Sequence, residues 1–432
     1  MTPAARIAAA IEIVASIETA RRPAADILKE WGQQHRFAGS SDRAAIAGLV
    51  YDTLRRRASS AFVMGEQTAR ALVLGMLRLE RGLSAQEIAR LCDGSRFAPQ
   101  PLSDTEQAAL AAADLSAAPP HVAGDYPQWL EAHLEKVFGG ERGEEGAALS
   151  ARAPLDLRVN MLKGSREEAI AALPDLPVTP ARWSPVGLRI EQKPDAKSPA
   201  IHAEPAFIKG LIEIQDEGSQ LAALLAGAAE HEQVVDLCAG GGGKTLALAA
   251  HMNNTGQIFA TDSDKRRLAP IHARLERAGA RNVQVLTPRK DADVLAELNS
   301  RIDLVVIDAP CTGTGSWRRN PDAKWRLRPG ALDIRRNEQR AVLDRALPLL
   351  KPGGRIAYIT CSVLDEENGA QIRDFLSRQR GFAVVPPAEV VQALGERAFL
   401  FRRAVLISDE GLLMTPRRTG TDGFFVALMR RA

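Results

Sequence analysis

Two of the four cysteines stand just beyond apolar runs that read as strands. Cys311 follows the run from Asp303 to Asp308, and Cys361 follows the run from Arg355 to Thr360. Asp308 closes the first run. If the two runs are neighbouring strands, both thiols and the carboxylate face one pocket. A thiolate is a strong nucleophile, so such a pair points to chemistry through a covalent intermediate. The remaining cysteines, Cys92 and Cys238, complete no CxxC pair, so neither a disulfide framework nor a zinc site is indicated and no metal is expected.

A second constellation precedes the thiols. The run Val234 to Cys238 enters Ala239, Gly240, Gly241, Gly242, Gly243 and Lys244, and a helical stretch follows. Glycines at a strand-to-helix turn allow close backbone approach, and a helix start favours a carboxylate or phosphate. The loop is not an ATP-binding P-loop, because Cys238 occupies the position of that motif's first glycine. One strand later stands Asp262, an acid that can accept both hydroxyls of a ribose; the competing reading is that Asp262 or Asp264 caps the next helix. Asp291 is a further candidate contact, for an adenine.

These residues need a scaffold. From about Ile212 the runs VVDLC, QIFAT, VQVL, DLVVID and RIAYIT alternate with helical stretches, the signature of a mostly parallel α/β sheet wound doubly, in the Rossmann manner. Ligands of such sheets bind beyond the carboxyl ends of the strands, where all the candidate residues fall. Residues 1–138 read as all-α, with capping boxes at Ser84/Glu87 and Ser103/Glu106 and a helix from Gln128 to Val137. The glycine-rich, charged stretch from Gly139 to Ala148 reads as a linker or a loose helix start. Residues 150–209 read as a small α+β insert with a helix over Glu167–Leu173, and residues 210–432 as the α/β domain.

A length of 432 residues favours two or three domains, and 45% hydrophobic with 25% charged residues is ordinary globular composition. A net charge of +3 permits a nucleic-acid partner without demanding one. Arg6, Glu12 and Glu18 interrupt the first apolar stretch, so an amphipathic helix is expected there rather than a leader, and no run is long enough to span a membrane. A cytoplasmic monomer is expected.

The thiols narrow the chemistry. Carbon 5 of cytosine is a poor nucleophile, and addition of a thiolate at carbon 6 turns the ring into an enamine that accepts a methyl group. The motifs DAPCTGTGSWRRNPDAKW, TCSVLDEENG and QDEGSQ resemble those of the Sun-type RNA cytosine-5 methyltransferase family, within it the bacterial 16S ribosomal RNA enzymes with an N-terminal NusB-like domain. The resemblance covers most of the chain. It implies that Cys361 is the nucleophile, that Cys311 assists release of the product, that Asp308 bonds the cytosine near N3, and that Lys244 lies close to the reacting centre. It also implies S-adenosyl-L-methionine on Cys238 to Lys244, Asp262, Asp291 and Asp308. One departure stands out: Gly241 replaces the family's usual proline, so a more mobile loop is expected.

The resemblance implies an RNA partner, small-subunit ribosomal RNA or, as the alternative, transfer RNA. Trp317, Arg318, Arg319, Lys324, Trp325, Arg326 and Arg328 form a basic, aromatic cluster suited to phosphate contact and stacking. Arg158 and Asn160, and Arg55 to Arg57, are further candidate RNA contacts. Two rivals remain: a DNA cytosine-5 methyltransferase, against which stand PCT rather than PCQ and the second thiol, and a non-catalytic RNA-binding assembly factor, against which stand the intact loop and thiols.

Overall fold

The computed structural model describes residues 1–20, 22–192, 199–289 and 291–432. The chain forms two compact units, one containing Met1–Arg152 and Trp317–Leu327, the other Ala153–Gln192, Pro199–Ser316 and Arg328–Ala432.

The first unit is helical. Its first helix, Pro3–Ala20, buries Ile7, Ala10, Ile13, Val14 and Ile17, a stripe at helical spacing that packs on helices Ser40–Arg55 and Ala69–Leu79. Both expected capping boxes form, with Ser84 and Ser103 each accepting from a glutamate amide three residues on. The Gln128–Val137 helix is a 3-10 turn, Gln128–Leu130, followed by an α-helix, Glu131–Phe138. Of the two readings of Gly139 to Ala148, linker or loose helix start, the second holds: a 3-10 turn, Gly139–Glu141, leads into a helix, Arg142–Ser150. Its glycines serve packing: a side chain on Gly146 would meet the Tyr126 ring at 2.6 Å. The sequence left both readings open because the ring that needs the space is distant in the chain.

The segment Trp317–Leu327 is anchored inside this unit. Trp317 and Lys324 are almost wholly buried, the Trp325 indole donates to the Leu54 carbonyl at 2.6 Å, and Arg55 donates to the Arg318 carbonyl at 2.7 Å. Lys324 donates to the Arg55 carbonyl and the Ser150 hydroxyl, at 3.1 and 2.8 Å, and burial pulls its pKa down to about 7. The expectation of a solvent-facing RNA cluster therefore fails for Trp317, Arg318 and Lys324, all buried; Arg326 and Arg328 are exposed. Arg55 is likewise an internal clasp, while Arg56 and Arg57 pair with Glu80 and Glu18, both at 2.7 Å.

In the second unit, strands β1 (Leu155–Val159), β2 (Thr179–Pro180), β3 (Gly187–Ile190) and β4 (Ile212–Ile214) make an antiparallel sheet in the order β2-β3-β1-β4. A helix, Arg166–Ala171, starts on a capping box from Ser165 and Glu168. Residues 193–198 of the expected 150–209 insert fall outside the described residues. The QDEGSQ stretch ties this sheet to the rest of the unit. Buried Glu217 accepts from the amides of Trp183 and Ser184 at 2.6 and 2.9 Å and pairs with Arg189, which also grips Asp156. Arg158 and Asn160 belong to the same junction and are buried: Arg158 donates to Gln215 at 2.6 Å, and Asn160 to the carbonyls of Gly210 and Ala278. Their expected role as RNA contacts gives way to an internal one.

The larger sheet contains β5 (Gln233–Asp236), β6 (Gln257–Ala260), β7 (Val283–Val285), β8 (Ile302–Asp308), β9 (Leu350–Thr360), β10 (Phe382–Val384), β11 (Leu406–Ile407), β12 (Leu412–Met414) and β13 (Phe424–Arg431). The order is β11-β12-β13-β9-β8-β5-β6-β7, with β10 also on β13. Strands β5 to β9 pair in parallel, and β13 runs antiparallel to β9. The sheet is thus the expected doubly wound one, extended by an antiparallel end that the sequence reading did not assign. Phe424 to Met429 are buried throughout, and such an unbroken apolar run carries no period that distinguishes strand from helix.

Lys324→Ala is expected to cost the first unit about 2–4 kcal/mol, because two buried acceptors lose their donor and a cavity opens. A lower denaturant midpoint by circular dichroism checks this.

Candidate active site

Strand β5 pairs with β6 on one side and β8 on the other, so the chain order reverses there and a crevice opens beyond its carboxyl end. The glycine loop fills that position. Ala239 N–H donates to the Thr261 carbonyl, Gly242 N–H to the Ala239 carbonyl, and helix Gly243–His251 begins. Gly242 has φ +84°, and a Cβ there would strike Ile271 at 2.5 Å, which leaves glycine as the residue that fits. Asp262, only 1% exposed, accepts from the Gly240 amide at 2.9 Å and from the Asp264 amide at 3.0 Å. The helix-capping alternative falls to its neighbour, for it is Asp264 that accepts from Arg266 N–H and caps Lys265–Leu268. Arg274 donates to the Gly241 carbonyl at 2.6 Å. The loop is therefore hydrogen-bonded at both Gly240 and Gly241. Asp291 stands apart from this hydrogen-bonded set, exposed beyond β7.

Beneath the loop, Asp236 accepts from the Thr245 hydroxyl at 2.7 Å, and burial raises its pKa to about 7. Burial, and then Asp236, Asp308 and Asp262, push the Cys238 thiol up as well. Buried Lys244 donates to Asp308 at 2.7 Å and lies 5.0 Å from the centre of the Phe424 ring. Asp308 is the partly exposed member of the pair, with a side-chain exposure of 36% against 5% for the lysine.

Register places the thiols together. Asp308 is level with Ile359 in the β8–β9 pair, and the Ala309 amide continues the ladder to the Ile359 carbonyl at 2.8 Å. The chains then diverge into two short loops, leaving the sulfurs of Cys311 and Cys361 3.3 Å apart. Two thiolates at that distance would repel by roughly 5 kcal/mol at an effective dielectric of about 20, so the pair carries one negative charge at most. The hydrogen bond from Cys361, burial, and the charges of Cys361 and Glu367 all hold the Cys311 thiol well above its ordinary pKa. A second layer supports the loops. Ser362 shares a hydrogen bond with Thr314 at 3.0 Å, Asn368 donates to the Ser362 carbonyl, and the Glu367 carboxylate takes the Thr312 amide at 2.8 Å. Gln339 donates to both the Pro310 carbonyl and Glu367.

Sequence reasoning thus named Lys244, Asp262, Asp308, Cys311 and Cys361, which the fold brings around one crevice. It gave no role to Asp236, Arg274, Gln339 or Glu367. The available signals were a buried-type polar residue, Gln339, in a helix otherwise rich in charge, and the carboxylate run after Cys361.

A Rossmann-like sheet with a glycine loop after its first strand and an acid after its second is the architecture of a domain that binds a ribose-bearing cofactor. Residues 222–430 match the family model for 16S rRNA methyltransferase RsmB/F, and residues 126–197 match that for the ferredoxin-like domain of RsmF/B-like methyltransferases. The chain is 31% identical over 310 residues to the probable ribosomal RNA small subunit methyltransferase B of Synechocystis sp., covering 71% of this chain and 67% of that protein. It is 32% identical over 306 residues to ribosomal RNA small subunit methyltransferase B of Sodalis glossinidius, covering 70% and 65%. These alignments span about two thirds of the relatives' lengths. Among solved structures, PH0851 aligns with TM-score 0.72 and 26% identity over 100% of this chain and 99% of that one. NSun6 from Pyrococcus horikoshii with SFG shares the fold, with TM-score 0.59 and 22% identity over 71% and 98%. The chain belongs to the RsmB/F family of S-adenosylmethionine-dependent rRNA methyltransferases. Among the described residues, no helix is long and apolar enough to cross a membrane.

Asp236 provides a pH test. Its folded pKa, about 7, exceeds the ordinary 3.8, so between those values the folded protein binds more protons than the unfolded chain and stability falls as pH rises. Asp236→Asn should remove this decline, gaining melting temperature relative to the parent between pH 5 and pH 8 by differential scanning fluorimetry.

Proposed function

We propose that this protein methylates carbon 5 of a cytosine in small-subunit ribosomal RNA, with Cys361 as nucleophile. The observation that carries the reading is the 3.3 Å approach of Cys311 and Cys361 at the ends of adjacent parallel strands, beside the Lys244–Asp308 pair. The target base leaves its stack to reach the thiols. The Cys361 thiolate adds to carbon 6 and a sulfur–carbon bond forms, while the ring's electron pair shifts to make carbon 5 nucleophilic. S-adenosylmethionine, when bound, supplies the methyl group from its sulfonium. The carbon 5 proton then passes to a base, the sulfur–carbon bond breaks, and the ring double bond and the Cys361 thiolate are restored. Cys311 assists this release. Asp308, steadied by Lys244, holds the cytosine edge near N3.

The donor set fits the cofactor. The start of helix Gly243–His251 favours a carboxylate, Asp262 offers an acid for ribose hydroxyls, and the loop Cys238, Ala239, Gly240 to Gly243 has no side chain larger than a thiol. Asp291 is the contact assigned to the adenine. We assign residues 1–138 to a NusB-like RNA-binding domain, 150–209 to RNA recognition and 210–432 to methyl transfer, in a cytoplasmic monomer.

Cys361→Ala should abolish methyl transfer while cofactor binding, measured by calorimetry, persists. Cys311→Ala should trap a protein–RNA adduct visible on a denaturing gel. A dead Cys311→Ala without adduct, beside an active Cys361→Ala, reverses the roles. Bisulfite sequencing of RNA from a strain lacking the protein should show one 16S cytosine losing protection; no change in any RNA sinks the activity.

A further inference from the structure

The first unit holds a cavity of about 630 Å³ that takes no part in the steps above, and every residue lining it belongs to that unit. The chain is poor in large rings, with five tryptophans and three tyrosines in 432 residues, yet Trp129, Trp325 and Tyr126 all line this cavity, together with Phe62. Core packing does not account for the gathering. Tyr126 is 1% exposed, but Trp129 and Trp325 are only half-buried and Phe62 is 43% exposed.

The walls are preformed. The Trp325 indole is fixed by its bond to the Leu54 carbonyl at 2.6 Å, and the Tyr126 hydroxyl donates to the Glu131 carboxylate at 2.8 Å. Trp129 meets the His133 ring edge-on, with centroids 5.8 Å apart. The Arg57 guanidinium lies 5.0 Å from the centre of the Trp325 ring and is held by both oxygens of Glu18, at 2.9 and 2.7 Å. Arg57 therefore brings no unmet charge to the wall. What the wall does offer is two exposed carboxamides, Gln67 and Gln128, which have no hydrogen-bond partner among the described residues.

We propose that this cavity receives an unstacked nucleobase of single-stranded RNA, with Phe62, Trp129 and Trp325 as the stacking surfaces and Gln67 and Gln128 as the groups that meet its edge. The inference rests on RNA being the substrate and adds a place where the helical unit grips it. A base presents a π-face to the rings, and on its edge a donor beside an acceptor, which a carboxamide matches with its own N–H and C=O. A phosphate would need unmet cations, and an aliphatic group would leave the carboxamides unpaired. The volume falls in the range of about 300–1,000 Å³ of pockets that enclose small ligands.

Fluorescence anisotropy of a labelled oligouridylate with the full-length protein reads the affinity, beside an abasic oligonucleotide and an RNA duplex of the same length. The parent should bind the single strand more tightly than either control. Trp129→Ala and Phe62→Ala should each weaken binding about tenfold, the loss of one stacked base, whereas Trp129→Phe keeps a ring and should keep most of the affinity. Ultraviolet crosslinking followed by peptide mass spectrometry should place the RNA on the peptides containing Phe62 and Trp129. Parental affinity in both folded alanine variants overturns the inference, and so does equal binding of the abasic strand by the parent. If Trp129→Ala does not fold, Phe62→Ala, altered at an exposed position, decides alone. A parent whose binding depends on bases and on these rings but which methylates no RNA overturns the proposed function and leaves the pocket standing; a parent that methylates 16S RNA while the alanine variants bind RNA unaltered does the reverse.

Discussion

The structure depends on the parallel pairing of β8 with β9. Register there is fixed by hydrophobic side chains buried on both faces, and a slip by one residue would turn Val305, Ile307, Ala357 and Ile359 to the wrong sides. Because Asp308 stays level with Ile359, two loops that begin about fifty positions apart in the chain start side by side and deliver their sulfurs to contact distance. The approach of the two thiols is therefore a consequence of strand register, and the loops need only short hydrogen-bonded turns to complete it.

The cofactor side of the crevice is built by a different device. Strand β5 stands where the sheet reverses direction, and its loop is closed down by bonds to backbone atoms: Asp262 to the Gly240 amide, Arg274 to the Gly241 carbonyl. At Gly241, the carbonyl takes its bond from a guanidinium of the neighbouring helix. Burial, and after it the acids gathered around the loop, Asp236, Asp308 and Asp262, push the Cys238 thiol up, unfavourable conditions for a thiolate.

In the helical unit, part of the basic and aromatic run after Cys311 is spent on folding, while Arg326 stays exposed. Lys324, Arg55 and the Trp325 indole direct polar atoms at backbone carbonyls, and Trp317 is buried. Composition alone gives the same seven residues to RNA, since arginine, lysine and tryptophan serve phosphate contact and stacking as readily as they serve a buried clasp. Which use prevails depends on whether partners with unsatisfied carbonyls lie within reach. Those partners, Leu54, Arg55 and Ser150, are remote in sequence.

By itself the sequence determined the α/β class, the loop, the acid after the second strand and the two thiols, because each is written in local terms: an apolar run, then a residue type at its end. The antiparallel end of the sheet was not legible, since β13 is apolar without a period. The helix Arg142–Ser150 was legible only as one of two readings, because its glycines answer to the distant ring of Tyr126. Only the tertiary structure decided that Arg158 and Asn160 are internal, that Arg274 bonds the Gly241 carbonyl, and that Cys311 and Cys361 touch. The reason is common to all of these: they are fixed by contacts between residues far apart in the chain, and no local spacing records which distant group will supply the bond.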